Sequence, residues 1–160
     1  MSNRMTGETG GLFEERVLGV CAVVARRGDY LPYDAAMEVV LTARQPPIRT
    51  PTVTRILREL RILLGETIQF RSALGSVLDY MHGVDGVFVF DGVTVTIDVT
   101  KNTAKDATKA DVLVCEEDLG DLPALARRIA REFERRLGRA QVSPSPVQRN
   151  RNPALHAGRR

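Results

Sequence analysis

The chain is poor in the residues that mark several large classes of protein. Only two cysteines occur, Cys21 and Cys115, both inside apolar segments. They read as buried reduced thiols, which sets aside a disulfide scaffold or a cysteine-based metal site. No apolar run approaches the roughly 18 residues of a membrane span. The opening stretch MSNRMTGETGGLFEERV has no apolar signal core and carries acid early, so it does not read as a secretory leader. A cytoplasmic protein is the expectation. Aromatic residues make up 5%, which weighs against single-strand binding by base stacking. Internal repeats are lacking as well.

A charge excess on the folded body is also missing. The net charge is +3, but residues 141–160 hold Arg149, Arg151, Arg159 and Arg160 and no acid, leaving the rest at about −1. The basicity belongs to the tail. What is present is an ordinary globular composition, 43% hydrophobic and 27% charged, enough to pack one core.

Periodicity orders the chain. Phe13, Val17, Val20 and Val24 predict a helix over Leu12–Arg27, stopped by Gly28. A second helix is expected over Tyr33–Arg44, broken by the prolines of RQPPIRTP. Thr50 caps a third, with Pro51 at its first position and Val53, Ile56, Leu57, Leu60 and Leu64 as its stripe before Gly65. TIQF predicts a short strand and SALGSVLDYM a short helix. Strands follow at Val84–Phe90, Val93–Thr100 and Asp111–Cys115, the last after the polar connection NTAKDATKA. Asp121 opens a final helix that Gly138 ends. The predicted class is α/β (α+β), a small mixed sheet with a β-hairpin flanked by helices. One domain spans 11–138, with a helical insertion at 29–70. A flexible N-terminus (1–10) and a disordered basic tail (139–160) flank it.

The hairpin carries the chemistry. Asp91-Gly92 between apolar runs predicts a two-residue type I′ loop. Phe90 then faces Val93, and counting outward pairs Gly86 with Ile97 and Asp85 with Asp98. Alternation puts Phe88, Phe90, Val93, Val95, Ile97 and Val99 on one face. Asp85, Val87, Val89, Thr94, Thr96, Asp98 and Thr100 share the other. Directly opposed Cβ atoms lie about 5 Å apart, where two carboxylates repel. Such a pair must share a proton, take a cation, or tolerate the repulsion. Mg²⁺ suits that geometry, with Mn²⁺ as a substitute. The competing reading leaves both acids idle at solvated strand ends.

An acid-bearing helix, a hairpin with two acids, a strand after a crossover and a closing helix together resemble the PD-(D/E)xK, or restriction-endonuclease-like, nuclease superfamily. GVDGV stands for the first motif, with Asp85 as the acid, and TIDVTK for the second, with Asp98. LFEERV resembles the family's helix and offers Glu14 as a third metal ligand. Glu14 borders the apolar stripe, whereas Glu15 points away from it. The resemblance implies a Mg²⁺-dependent endonuclease acting on nucleic acid, DNA before RNA, with Asp85, Asp98 and Glu14 holding metal. The family's lysine stands two residues after the second acid. Here that position is Thr100, and Lys101 comes one residue late, expected to be turned back by the strand end or a bulge. Lys105 or Lys109 from the connection is the alternative, and a fold without chemistry the third. His82 reads as a loop residue rather than a ligand.

A non-catalytic DNA-binding protein is the rival reading. The helices Tyr33–Arg44 and Pro51–Leu64, with a strand pair, would form a winged-helix-like module. In it Arg55, Arg58 and Arg61 would meet phosphates. The QPPIRT spacer is long for a helix-turn-helix.

Overall fold

The computed structural model describes residues 9–20 and 30–142, with side chains through residue 138. Helix α1 (Gly10–Leu18) starts where the Thr9 hydroxyl accepts from the Leu12 N–H. It ends at Gly19, whose φ of 72° suits glycine and whose N–H bonds the Glu15 carbonyl. The stop therefore comes well before Arg27. Cys21, Val24 and the expected stop at Gly28 lie outside the described residues. Helix α2 (Tyr33–Thr42) ends ahead of the proline pair. Helix α3 (Pro51–Leu63) is capped as the sequence predicts, the Thr50 hydroxyl accepting from the Val53 N–H at 3.3 Å. That hydroxyl also donates to the Val17 carbonyl at 2.6 Å, which ties the start of α3 to the end of α1.

Four strands form one mixed sheet in the order β1 (Gln69–Ser72), β2 (Gly86–Phe90), β3 (Val93–Thr100) and β4 (Val112–Cys115). The first two pairings are antiparallel and β3–β4 is parallel. The hairpin register is the predicted one, from Phe90 opposite Val93 to Gly86 opposite Ile97. Asp91 (φ 50°) and Gly92 (φ 73°) both sit at positive φ, as a type I′ loop requires.

Register is held by what each face buries. Phe88, Val95, Ile97 and Val99 pack with Phe13, Leu60, Ile129 and Phe133, so α1, α3 and α5 (Leu122–Val142) cover one face. Val87 and Val89 pack with Ala36, Met37, Val40 and Leu78, so α2 and α4 (Val77–His82) cover the other. A fully buried side chain such as Phe88 contributes about 1.5–3 kcal/mol. A one-residue slip would reverse every such side chain and drive Asp98 into the apolar layer.

Three expectations change. Helix α5 continues through Gly138 to Val142, so the tail expected at 139–160 begins as helix, and 143–160 lie outside the described residues, as do 1–8. One glycine costs a helix only about 1 kcal/mol, and the following Arg-Ala-Gln favour continuation. Residues 29–70 hold α2, α3 and the start of β1, and α3 packs along α5 in the main core. Finally, α2 and α3 lie on opposite faces of the sheet, so they form no helix-turn-helix pair.

Candidate functional site

The hairpin ladder ends at Gly86–Ile97, and the chain changes course one residue earlier. The Asp85 N–H donates to the Ile97 carbonyl at 2.9 Å, and the Asp85 carbonyl accepts from the Ala73 N–H at 2.8 Å. Asp85 and Asp98 are therefore not a ladder pair, which corrects the direct opposition expected of them. The Asp85 carboxylate instead accepts from the Val99 N–H at 2.7 Å, occupying the end of the ladder. It is 5% exposed and Asp98 6%, so neither sits at a solvated strand end.

Asp98 is met from the polar connection. Lys105 Nζ lies 2.6 Å from Asp98 Oδ2, and the Thr108 hydroxyl donates to the same oxygen at 2.7 Å. A turn delivers the lysine. The Thr100 hydroxyl accepts from the Asn102 N–H, the Asn102 side chain accepts from the Ala104 N–H, and the Lys105 N–H bonds the Asn102 carbonyl. Lys101 does not turn back toward Asp98. Its ammonium lies 5.9 Å from the Phe13 ring centroid, on the side strand alternation assigns it. The connection is anchored beyond the site too, where Asp111 accepts from the backbone and hydroxyl of Thr96 and pairs with Arg136.

Two more acids approach. Glu14, on the exposed edge of α1, is half-buried while Glu15 is exposed, as the helical wheel predicts. Asp79, on α4, was not singled out in the sequence. Its only local signal is Ser76-x-x-Asp79, a capping-box spacing. Its carboxylate does accept from the Gly75 N–H at 2.8 Å. Its nearness to the hairpin acids is a tertiary fact. His82 closes α4 and bonds the Leu31 carbonyl at 2.8 Å, tying α4 to the segment ahead of α2.

Charge accumulates here at a cost. Burial lifts the Asp85 carboxyl to about 8; the Val99 N–H opposes this, and the charges of Glu14, Asp98 and Asp79 add to it. Burial likewise raises Asp79, against its bond from Gly75 and with Asp98 adding. Glu14 is raised by burial, then by Asp79 and Asp98, with Lys105 opposing. At neutral pH Asp85 therefore keeps its proton. A cation entering the cluster would displace that proton and relieve the repulsion.

The donor set fits a hard cation in kind, since every candidate ligand is a carboxylate oxygen. Among the described residues, however, no three histidine, cysteine or acidic side chains stand together as a ready-made cage. A Mg²⁺ ion commonly takes only one or two carboxylates and keeps water in its shell. Asp98 opens onto a cleft of about 470 Å³ lined also by Asp79, Tyr80, Lys105, Thr108 and Lys109. The arginines Arg55, Arg58 and Arg61 of α3 belong to the helix layer on the opposite face of the sheet. No helix among the described residues is long and apolar enough to cross a membrane. Compared with known protein families, curated proteins and solved structures, the chain matches none.

Proposed function

We propose that the protein is a metal-dependent nuclease of the PD-(D/E)xK type, hydrolysing phosphodiester bonds in nucleic acid, DNA before RNA. The observation that carries the reading is the Lys105 ammonium 2.6 Å from Asp98, on the strand next to the buried Asp85. This supplies an acid, acid and lysine constellation at the end of a hairpin, with the lysine drawn from the connection rather than from the strand.

In this reading Asp98 and Asp85 would hold Mg²⁺ or Mn²⁺, with Glu14 and Asp79 as further carboxylates of the same cluster. When bound, the ion lowers the pKa of a coordinated water and neutralises charge on the scissile phosphate. Lys105 donates to the phosphate oxygen on which negative charge develops, an interaction strongest where water is excluded. Asp98 holds that ammonium in place, and Thr108 fixes the Asp98 carboxylate. Lys109 lines the same cleft and neutralises a flanking phosphate.

A degenerate, non-catalytic nucleic-acid-binding fold is the second reading. It is favoured by the saturation of Asp98 Oδ2, which takes both Lys105 and Thr108 from its own chain. Cleavage assays on single-stranded, duplex and branched DNA and RNA, with Mg²⁺, Mn²⁺ or EDTA, separate the two. Cleavage that EDTA abolishes supports the enzyme. Gel retardation that is indifferent to metal, with no product on any substrate, supports the binding protein.

A further inference from the structure

The chain has five phenylalanines, three tyrosines and no tryptophan, and the two kinds of aromatic part company. Phe13, Phe88 and Phe133 are fully buried, and Phe70 and Phe90 pack against the same core. All three tyrosines are exposed: Tyr30 at 66%, Tyr33 at 41% and Tyr80 at 71%. All three lie on or against α4, with Tyr80 and His82, two residues apart, on different faces of that helix. Tyr33 meets His82 of α4 edge-on at 5.6 Å between ring centroids, and Tyr30 stands 6.5 Å from the same ring. Tyr80, two residues earlier in α4, lines the cleft that holds Asp98, Lys105 and Lys109.

We propose that the substrate is an unpaired strand of nucleic acid, a base of which stacks on Tyr80 of α4 while its phosphates follow Lys109 and Lys105 into the cleft. The inference rests on the nuclease reading and names its substrate class. A duplex hides the faces of its bases in the stack, so exposed rings beside a phosphate track offer it nothing. A single strand presents every base face, and stacking tolerates any sequence. The low aromatic total is no objection, because Tyr80 stands at the cleft itself, 71% exposed beside Lys105 and Lys109. His82 serves as a brace, its ring held between the Leu31 carbonyl and the two tyrosines.

The test is binding by fluorescence anisotropy of the full chain in EDTA, where cleavage plays no part. The probes are a labelled oligo-dT, a blunt duplex, and an abasic single strand of the same length and charge. Wild type is expected to bind oligo-dT roughly tenfold or more tighter than the abasic strand, the scale of one or two stacked bases. Tyr80→Ala should remove most of that difference and Tyr80→Phe should retain it, with unchanged melting temperatures showing that both variants fold. Equal affinity for oligo-dT and the abasic strand, or a preference that survives Tyr80→Ala together with Tyr30→Ala, overturns the inference. The two readings fail separately. Base-dependent binding without cleavage in Mg²⁺ keeps the stacking surface and removes the nuclease, whereas cleavage with no base preference does the reverse.

Discussion

Lys105 reaches back across seven residues to place its ammonium 2.6 Å from Asp98. Lys101, only three residues from the acid, extends over Phe13 instead. Distance along the chain is a poor guide here because strand alternation governs Lys101, while the Asn102 turn frees Lys105 from it.

The lysine assignment gives the first prediction. Lys105→Ala should lower single-turnover cleavage by roughly a hundredfold or more, the effect of deleting one group that stabilises developing charge. Lys101→Ala and Lys109→Ala should cost much less. A dead Lys101→Ala beside a near-normal Lys105→Ala would move the role back to the residue that the sequence motif first suggested.

Stability against pH follows from Asp85. Its carboxyl is raised from 3.8 to about 8 by folding, so in that window the native state holds a proton that the unfolded state has lost. Stability should then fall as pH rises through the window, by at most about 1.4 kcal/mol per pH unit, and level off above it. Asp85→Asn removes the titrating group. Chemical denaturation from pH 4.5 to 9 in EDTA should show a flatter profile for the variant, and parallel profiles would mean Asp85 is not the buried proton holder.

Metal linkage provides the third. Mg²⁺ or Mn²⁺ at millimolar levels should raise the melting temperature, because a ligand bound only by the native state stabilises it. The rise should grow with pH as Asp85 gives up its proton. Asp98→Asn should abolish it. Without metal, that variant loses the ion pair to Lys105 but relieves repulsion on Asp85, Asp79 and Glu14, two effects that oppose each other. Identical metal-induced shifts in wild type and Asp98→Asn would exclude Asp98 as a ligand.

Packing beneath the site can be tested at Gly86. A Cβ there would stand 2.6 Å from Phe70 Cε2 and 3.3 Å from Ile97 Cγ1. Gly86→Ala should destabilise by about 1–3 kcal/mol, the usual cost of overpacking. Adding Phe70→Leu should restore part of the loss in a double-mutant cycle. Strict additivity would show that the clash is relieved elsewhere.

The sequence by itself determined the elements and the hairpin. Asp91-Gly92 set a two-residue loop and the loop set the register, because both loop residues accept positive φ and the apolar face admits no slip. Thr50-Pro51 set the start of α3 by capping chemistry that is wholly local. Local signals were weaker where two glycines competed. Gly28 was expected to end α1, but Gly19 does so, at a point where a Cβ would come within 3.2 Å of Ile48 from a distant segment. Tertiary structure alone decided the site. The departure of the chain before Gly86, which turned the expected Asp85–Asp98 ladder pair into a carboxylate capping Val99, depends on the bonds of Asp85 to Ala73 and Ile97. Asp79 joins the acids only because α4 lies against the sheet through Val77 and Leu78. The choice of Lys105 over Lys101 was made by how the connection folds onto the face that carries Asp98, and a polar loop leaves no period in the sequence from which that path can be read.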